Sequence, residues 1–367
     1  MRKGNKLILG GDWPAPKLSL FFTKKCNFSC DYCYLGAKTN QTIKLNKCLK
    51  AVDFFLSLPP GDKEITYMGG EPLLETGFLK KSALEIKKMA EKRNSRIELF
   101  HVMTNGSLLT PRRLDSLQKL GLSFTVSLDG EEKSNDSHRQ EAARVLNNLK
   151  GVSLSGFGNS LVFGPDNVSR LSKNVVFMAG LGFSYIYFLP RLYEQWSAKD
   201  LKILKQNLAK IKEFYVSLFK NKTKKPFIIP YLYEYFKRRN KRSFSCDKLN
   251  MDWSGDIYRC WSFLSLADHA RKKYRLDLNN FSKSDKIFRK KFFIPAVELF
   301  TKLSGQNILE SVFCPVDVYV YSVLYEKDRE EMMKNFIRIN NLYGNFFRSI
   351  VKTLSPDEAF ARIYGQI

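Results

Sequence analysis

The chain has 367 residues and a formal net charge of +25, from 61 Lys and Arg against 36 Asp and Glu. Hydrophobic residues make up 44% of the chain and charged residues 26%, which excludes a largely disordered or fibrous protein. The length predicts two domains, or one domain with a large appendage. No run approaches the roughly 20 apolar residues of a membrane span, so we expect a soluble, cytoplasmic protein without a membrane partner.

Six short apolar runs predict strands, and helical patterns lie between them. The predicted strands are Lys17–Phe22, Glu64–Met68, Glu98–Met103, Phe124–Leu128, Ser160–Phe163 and Tyr185–Leu189. The helical patterns cover residues 43–57, 76–93, 110–119, 137–150, 166–180 and 198–219. This alternation predicts parallel βαβ units in an α/β fold. Six units suit a partial barrel, with the chemistry at the C-terminal ends of its strands.

Three of the seven cysteines lie within eight residues, directly after the first predicted strand: Cys26, Cys30 and Cys33. The odd total argues against a disulfide framework in a chain that we expect to be cytoplasmic. Thiolates this close in sequence can converge on one metal centre. Zinc would want a fourth protein ligand, whereas three thiolates can bind three irons of a cubane cluster and leave the fourth iron open.

Polar and glycine-rich segments follow the next three predicted strands. Gly69-Gly70-Glu71-Pro72 follows the second strand, Thr104-Asn105-Gly106 follows the third, and Asp129-Gly130 ends the fourth. Each segment alone is also explained as an ordinary turn or helix cap. Their shared position at strand ends, beside the cysteine cluster, favours a functional interpretation.

With these segments in place, the chain resembles the radical S-adenosylmethionine (SAM) superfamily over most of residues 17–190. The resemblance implies a partial (β/α)6 TIM barrel and a [4Fe–4S] cluster held by Cys26, Cys30 and Cys33. SAM would bind the open iron, and an electron donor such as flavodoxin or ferredoxin would supply the electron. Cleavage of SAM would then give a 5′-deoxyadenosyl radical that abstracts a substrate hydrogen.

The resemblance also implies residues around SAM. Tyr32 would pack near the adenine, the glycine pair would admit the methionine portion, and Glu71 would face the SAM amino group or, alternatively, solvent. Arg191, after the sixth strand, is a candidate for SAM carboxylate or substrate contact, or an ordinary surface residue. The implied SAM-binding residues are Tyr32, Gly69, Gly70, Glu71, Asn105, Ser127, Asp129 and Arg191.

The second half carries three further cysteines, Cys246, Cys260 and Cys314. Gly255-Asp256 predicts a hairpin turn that brings Cys246 and Cys260 together on paired strands. This segment resembles the auxiliary-cluster domain called SPASM, or twitch in its shorter form.

With so few cysteines, the resemblance implies one auxiliary iron–sulfur cluster at most. Its fourth ligand would be missing or non-cysteine: Asp247, Asp317 or a bound substrate. Metal-free buried thiols and a zinc site are the alternatives. We expect Cys48, in a helical stretch, to be a small buried apolar residue.

We therefore predict three units: a radical SAM partial barrel (1–219), a smaller α+β auxiliary iron–sulfur domain (220–322) and a C-terminal helical segment (323–367). Residues 323–349 predict one long amphipathic helix. The densest basic stretch runs from Lys220 to Arg242. It can bind RNA, a membrane surface or an acidic substrate, although a solvated linker face is the more ordinary explanation.

The leading functional hypothesis is modification of a ribosomally made peptide or protein by crosslinking, oxidation or excision. Because the first strand begins near residue 17, we expect no peptide-recognition domain before the barrel. A separate leader-recognition protein or the basic second half would then hold an acidic leader. The alternatives are a small molecule in cofactor or secondary-metabolite biosynthesis, RNA, and a non-enzymatic iron–sulfur or zinc scaffold.

Overall fold

The computed structural model of the protein describes residues 16–59, 61–221, 225–239 and 246–364. Within the basic stretch from Lys220 to Arg242, residues 222–224 and 240–242 lie outside the described residues, and the side chains of residues 237–239 are not described. Within the described ranges, no helix combines the length and the apolar character needed to cross a membrane.

Six of the eight strands in the described part of the sheet run parallel to one another, and they lie side by side in the order in which they occur in the chain. They are β1 (Lys17–Thr23), β2 (Asp62–Gly69), β3 (Arg96–Thr104), β4 (Ser123–Ser127), β5 (Gly158–Phe163) and β6 (Tyr185–Pro190). Each strand pairs in parallel with the next one. The predicted α/β fold with six parallel strands is confirmed. All six C-terminal strand ends therefore meet at one edge of the sheet, which is where the sequence predicts the site.

Helices connect these strands, as the sequence predicts. They are α1 (Leu45–Ser57), α2 (Thr76–Lys92), α3 (Pro111–Gln118), α4 (Glu132–Asp136), α5 (Ala142–Leu149), α6 (Leu171–Leu181) and α7 (Ala198–Lys220). The helix predicted near residues 137–150 is present as α5, but it begins at Ala142. Gln140 and Glu141 take positive φ values of 76° and 51°, and this left-handed pair separates α4 from α5.

The second half begins with α8 (Pro230–Arg239) and then adds to the same sheet. The hairpin predicted at Gly255-Asp256 is confirmed: β7 (Lys248–Met251) and β8 (Ile257–Tyr258) pair antiparallel, and Gly255 has a φ of +90°. Strand β7 lies parallel to β1, which gives the order β6-β5-β4-β3-β2-β1-β7-β8. The hairpin that follows Cys246 therefore lies beside the strand that precedes Cys26. The predicted domain boundaries stay predictions.

The remainder of the chain is helical. The elements are α9 (Asp268–Arg271), α10 (Phe281–Phe288), α11 (Ile294–Ser304), α12 (Pro315–Leu324), α13 (Arg329–Leu354) and α14 (Glu358–Tyr364). The long helix predicted from residue 323 begins at Arg329 instead, because Asp328 caps it by accepting a hydrogen bond from the backbone N–H of Glu331 (2.9 Å). Helix α13 returns to the barrel, where the Tyr343 hydroxyl donates to the Phe188 carbonyl of β6 (2.9 Å).

Candidate functional site

The loop that carries the first three cysteines leaves β1 and is tied to the end of β2. The N–H of Gly70 donates to the Thr23 carbonyl (2.8 Å), and the N–H of Glu71 donates to the Lys25 carbonyl (2.7 Å). Within the loop, the N–H of Cys33 donates to the Cys30 carbonyl (3.2 Å), which closes a turn. These backbone bonds fix both ends of the segment on which the thiols lie.

The two glycines are required by this close approach. Gly69 has a φ of +133°, and a Cβ there would lie 2.4 Å from the Thr23 carbonyl oxygen. A Cβ on Gly70 would lie 1.9 Å from the Lys25 carbonyl oxygen. Such distances are far below van der Waals contact, so only glycine allows the two segments to meet. The predicted contact between this pair and SAM stays a prediction.

Glu71 braces the ends of β2 and β3 from inside. The side chain is buried and accepts hydrogen bonds from the backbone N–H of Leu73 (2.9 Å), from the Thr104 hydroxyl (2.7 Å) and from the backbone N–H of Asn105 (2.6 Å). Burial raises the pKa of this carboxyl, and the bond from Asn105 opposes the shift. The side chain does not face solvent, and its predicted contact with the SAM amino group stays a prediction.

Asn105 links the end of β3 to the cysteine loop through a partner that sequence reasoning missed. Its side-chain amide donates to the side-chain oxygen Oδ1 of Asn27 (3.0 Å), and the side-chain amide of Asn27 donates to the Ser107 hydroxyl (2.8 Å). Asn27 directly follows Cys26, so this network holds the loop against the strand end. The position of Asn27, a polar residue directly after a predicted cluster ligand, was the only sequence feature that pointed to it.

Asp129 joins the ends of β4 and β5 to the cysteine loop. One carboxylate oxygen accepts from the backbone N–H of Val162 in β5 (2.9 Å), and the other accepts from the Tyr32 hydroxyl and from Nε of Arg139 (3.1 Å). The Arg139 guanidinium lies over the Tyr32 ring, 5.4 Å from its centre. Ser127 is half-buried at the end of β4, two residues before Asp129.

Arg139 is the main residue that sequence reasoning missed. Its guanidinium also lies 3.8 Å from Sγ of Cys30, so it is shared between a carboxylate and a thiol. The adjacent charge of Asp129 keeps the pKa of Arg139 above its usual value, against the effect of burial. The break between α4 and α5, which the predicted long helix concealed, is what turns this side chain toward the loop.

The guanidinium of Arg191 also lies over the Tyr32 ring, 5.7 Å from its centre. It pairs with Asp166 and with Glu194 (2.9 Å), while its Nε is buried without a hydrogen-bond partner. Arg191 lies at the end of β6, as predicted, and there it contacts Tyr32 of the cysteine loop. It is not an ordinary surface residue. An unpaired buried N–H is costly, and an anionic or polar group bound beside it would relieve that cost.

The three thiols have the setting that an iron–sulfur cluster requires. Each is half-buried, and burial raises the pKa of Cys26 and Cys30, while Lys38 and Arg139 respectively act against that shift. Nζ of Lys38 lies 2.6 Å from Sγ of Cys33. Cations beside thiols favour the thiolates that bind iron.

Within the described residues, no three Cys, His, Asp or Glu side chains are grouped as ligands of a single metal ion. The ligands of a cubane cluster each bind a different iron, so they are not required to meet at one point. The donor set therefore fits the cluster.

A comparison with protein families identifies the family to which the first half of the chain is similar. Residues 20–169 match the family model described as the radical SAM superfamily. The chain carries a radical SAM domain. Members of this superfamily use a [4Fe–4S] cluster together with SAM, and the matched range contains the cysteine loop and the ends of β1 to β5.

Curated relatives match about half of the chain. An uncharacterised protein of Methanocaldococcus jannaschii is 27% identical over 180 residues, which are 47% of this chain and 61% of that protein. A GTP 3′,8-cyclase of Ectopseudomonas mendocina is 28% identical over 187 residues, which are 47% of this chain and 54% of that enzyme. The chain thus spans little more than half the length of these relatives.

Solved structures resemble a larger part of the fold. The structure of anSMEcpe with bound AdoMet and Kp18Cys peptide covers 96% of this chain and 100% of that chain, at a TM-score of 0.67 and 17% identity. Streptococcus suis SuiB, bound to precursor peptide SuiA, covers 70% and 61% at a TM-score of 0.50 and 13% identity. At these identities the likeness concerns the fold alone.

Next to the radical SAM site, the three cysteines of the second half form another group. Sγ of Cys246 lies 3.8 Å from the Arg259 carbonyl, directly before Cys260. Sγ of Cys260 lies 2.8 Å from a carboxylate oxygen of Asp317, which is three residues after Cys314. Burial raises the pKa of Cys246 to about 11. Cys48 is fully buried elsewhere, in α1, as predicted.

One aromatic contact joins the two thiol groups. Tyr34, which follows Cys33, packs edge-on against Trp261, which follows Cys260, with the ring centres 4.7 Å apart. Tyr193 lies 5.9 Å from the same indole. Tyr34 belongs to the segment that follows β1, and Trp261 belongs to the segment that follows β8.

Proposed function

We propose that the protein cleaves SAM reductively and modifies a peptide or protein. When bound, the [4Fe–4S] cluster and SAM supply a 5′-deoxyadenosyl radical that abstracts a hydrogen atom from the substrate. The chain's own residues hold and orient these groups. Cys26, Cys30 and Cys33 bind the cluster, while Lys38 and Arg139 offset the negative charge of the thiolates.

The residues around Tyr32 position SAM. Tyr32 donates a hydrogen bond to Asp129, and the guanidinium groups of Arg139 and Arg191 lie 5.4 Å and 5.7 Å from its ring centre. This arrangement leaves the free Nε of Arg191 as a donor for a carboxylate of SAM or of the substrate. Glu71 and Asn105 keep the strand ends and the cysteine loop in register, so that the reacting groups stay aligned.

We propose a peptide or protein substrate because the similarity to a peptide-bound structure extends over nearly the whole chain. The likeness to anSMEcpe, a protein solved with a bound peptide, covers 96% of this chain. It therefore takes in most of the second half as well as the barrel. The match to the GTP 3′,8-cyclase covers 47% of the chain, about half the share that the likeness to anSMEcpe covers.

A basic segment of the second half supports an acidic leader or substrate segment. The basic segment, residues 272–291, carries seven exposed cations: Lys272, Lys273, Arg275, Lys283, Lys286, Lys290 and Lys291. Its two ends meet at Tyr274, because Nζ of Lys273 and Nζ of Lys291 lie 5.0 Å and 5.7 Å from that ring centre. Exposed cations in this number attract an acidic chain and bind it less tightly as salt rises.

An auxiliary iron–sulfur cluster on Cys246, Cys260 and Cys314 is part of this proposal. The support is that two of these thiols come from the two ends of one hairpin and the third comes from the start of α12. An electron donor such as flavodoxin or ferredoxin and a separate leader-recognition protein stay predictions.

The test is anaerobic incubation of the reduced, reconstituted protein with SAM, followed by detection of 5′-deoxyadenosine. Candidate precursor peptides with acidic leaders are then added, and mass spectrometry detects the modified product. Reversal of Lys286, Lys290 and Lys291 to Glu is expected to weaken peptide binding at least about tenfold while SAM cleavage continues.

Absence of 5′-deoxyadenosine contradicts the radical activity itself. A small molecule such as a nucleotide that is consumed while peptides stay inert favours the second candidate, as does the relationship to GTP 3′,8-cyclase. Tight RNA binding that falls steeply with salt favours the RNA alternative.

A further inference from the structure

We infer that Asp317 is the fourth protein ligand of the auxiliary cluster, so that the chain binds all four of its irons. The inference rests on the proposed function, which includes that cluster. It names one of the candidates that the sequence left open, and it gives the second centre a different chemistry from the first.

The first step is that the hairpin supplies two thiols. Cys246 lies two residues before β7, and Cys260 lies two residues after β8. Because the strands are antiparallel, the start of one lies beside the end of the other, as the 3.8 Å contact between Cys246 Sγ and the Arg259 carbonyl demonstrates.

The second step is that one helix start supplies a thiol and a carboxylate. Cys314 is the N-cap residue of α12, Pro315 is its first helical residue, and Asp317 is its third. Side chains at the N-cap and at the third helical position lie on the same side of a helix start. Cys314 and Asp317 are thereby presented together, three residues apart.

The third step is the direction of the Asp317 carboxylate. An acidic side chain at this position ordinarily bonds back to the N-cap backbone. Here one oxygen lies 2.8 Å from Cys260 Sγ, and the other accepts a hydrogen bond from Nε1 of Trp261 (3.0 Å). The carboxylate has turned away from its own helix and toward the hairpin thiols, which joins the two donor pairs.

The fourth step excludes the other carboxylate that the sequence suggested. Asp247 lies next to Cys246, but its side chain is about one-third exposed and pairs with Lys17 at the N-terminal end of β1 (3.9 Å). Among the described residues, no Lys or Arg forms an ion pair with Asp317. Its two carboxylate oxygens face Cys260 and Trp261 instead, so Asp317 is the carboxylate that the fold places against the hairpin thiols.

The consequence concerns what each centre can do. Three cysteines leave one iron of a cubane open, and an open iron can bind another molecule. Three cysteines and one aspartate leave none open, so substrate does not bind the second cluster through iron. That cluster then serves to exchange electrons, and its contact with the first centre through Trp261 and Tyr34 suits this role.

The test uses the full chain with Cys26, Cys30 and Cys33 replaced by Ala, so that only the auxiliary cluster is observed. After anaerobic reconstitution we expect about four irons per chain. Asp317→Asn keeps the size of the side chain but removes a good iron ligand. It is expected to lower the iron content to about three, with the electron paramagnetic resonance signal of a three-iron cluster.

Asp317→Cys is the second variant, and Asp247→Asn is the matched control. A thiolate donates more electron density than a carboxylate, so Asp317→Cys is expected to keep about four irons and to lower the midpoint potential. Asp247→Asn is expected to change neither. Iron content and potential that are unchanged in both Asp317 variants would overturn the inference, as would loss of iron from Asp247→Asn.

Failure of the inference differs from failure of the proposed function. A protein without the first three cysteines that holds no iron at all overturns the auxiliary cluster and its Asp317 ligand. In that case the unaltered chain can still form 5′-deoxyadenosine, and the radical activity stands. If the unaltered chain forms none while the Asp317 variants behave as expected, the ligand is right and the proposed reaction is wrong.

Discussion

The two thiol groups are built in opposite ways. The first takes three cysteines from one eight-residue loop after β1, with Lys38 and Arg139 beside them. The second takes its donors from the two ends of a hairpin and from the start of α12, and its fourth neighbour is the carboxylate of Asp317. A local loop with cations suits a cluster that must accept a further ligand, whereas donors drawn from distant segments can enclose a cluster completely.

The largest expected difference between the two groups is in SAM cleavage. Cys30 is a predicted ligand of the first cluster, so we expect Cys30→Ala to lower formation of 5′-deoxyadenosine to background, by roughly a thousandfold or more. Cys314→Ala removes a thiol of the second group, and we expect SAM cleavage within a few-fold of the unaltered protein but loss of peptide modification. The measurement is anaerobic turnover with chromatographic detection of both products.

Cys48→Ala is the control for the loss of a thiol as such, because Cys48 is fully buried in α1 away from both groups. It should lower stability modestly and leave both products unchanged. Equal loss of 5′-deoxyadenosine in the Cys30 and Cys314 variants would contradict the division of roles between the two groups.

The sequence predicts the first thiol group far better than the second. Cys26, Cys30 and Cys33 are close in sequence, so any fold of that loop keeps them near one another. The approach of Cys260 to Asp317 depends on where α12 packs, which no local pattern encodes. Of the second thiol group, the sequence predicted only that Cys246 and Cys260 come together, because Gly255-Asp256 is a strong signal for a hairpin turn.

The same reasoning explains why Arg139 was missed. The pattern over 137–150 is helical, and the left-handed residues Gln140 and Glu141 interrupt it for tertiary reasons. The six strands were predictable because each is a short apolar run between helical patterns. The pairing of β7 with β1 was not, because register between distant strands is set by packing and not by propensity.

A glycine substitution beside the cysteine loop should lower stability and reduce iron binding by the first thiol group more than by the second. Gly70→Ala would place Cβ 1.9 Å from the Lys25 carbonyl oxygen, so the backbone that leads into the cysteine loop must move. We expect a loss of at least about 4 kcal/mol in the free energy of unfolding. Iron at the first group should fall, while iron at the second group persists in the folded fraction.

Gly77→Ala is the matched control in the same connection. Gly77 lies in the first turn of α2, and a Cβ added there would meet no other atom within 4 Å. Alanine favours the helix, so this variant should gain up to about 1 kcal/mol. The contrast is measured by denaturant unfolding under anaerobic conditions, and equal stabilities of the two variants would refute the close-approach argument.

Asp129→Asn should weaken the first group through its charge rather than its shape. The substitution leaves the enclosed Arg139 guanidinium without its carboxylate partner, and we expect a cost of about 3 kcal/mol in stability. SAM binding should weaken as well, because Tyr32 loses its acceptor. Adding Arg139→Gln to Asp129→Asn should recover part of the stability, since the unpaired charge is gone.

That double-mutant cycle is measured by denaturant unfolding and by SAM binding on the reconstituted protein. Additive losses in the cycle would mean that the two residues do not act as a pair. The second group should keep its iron in all three variants, because neither residue contacts it.

The smallest expected effect is a pH dependence of stability that arises from His101 in β3. His101 in β3 contacts the hydroxyls of Ser123 (2.6 Å) and Thr125 (2.8 Å), and burial lowers its pKa from 6.5 to about 4. The unfolded chain therefore binds a proton at a higher pH than the folded protein does. Stability is full above the unfolded pKa of 6.5 and declines as the pH falls toward 4.

Between pH 7 and pH 5 this difference amounts to about 2 kcal/mol in the free energy of unfolding. His101→Gln keeps an amide that can bond the two hydroxyls but does not titrate, so the decline with pH should become shallower by about that amount. His269→Gln, at an exposed position in α9, is the control and should leave the slope unchanged. If His101→Gln loses stability equally at both pH values, its contacts matter to folding but its titration does not, and the acid sensitivity of the protein must then arise outside β3.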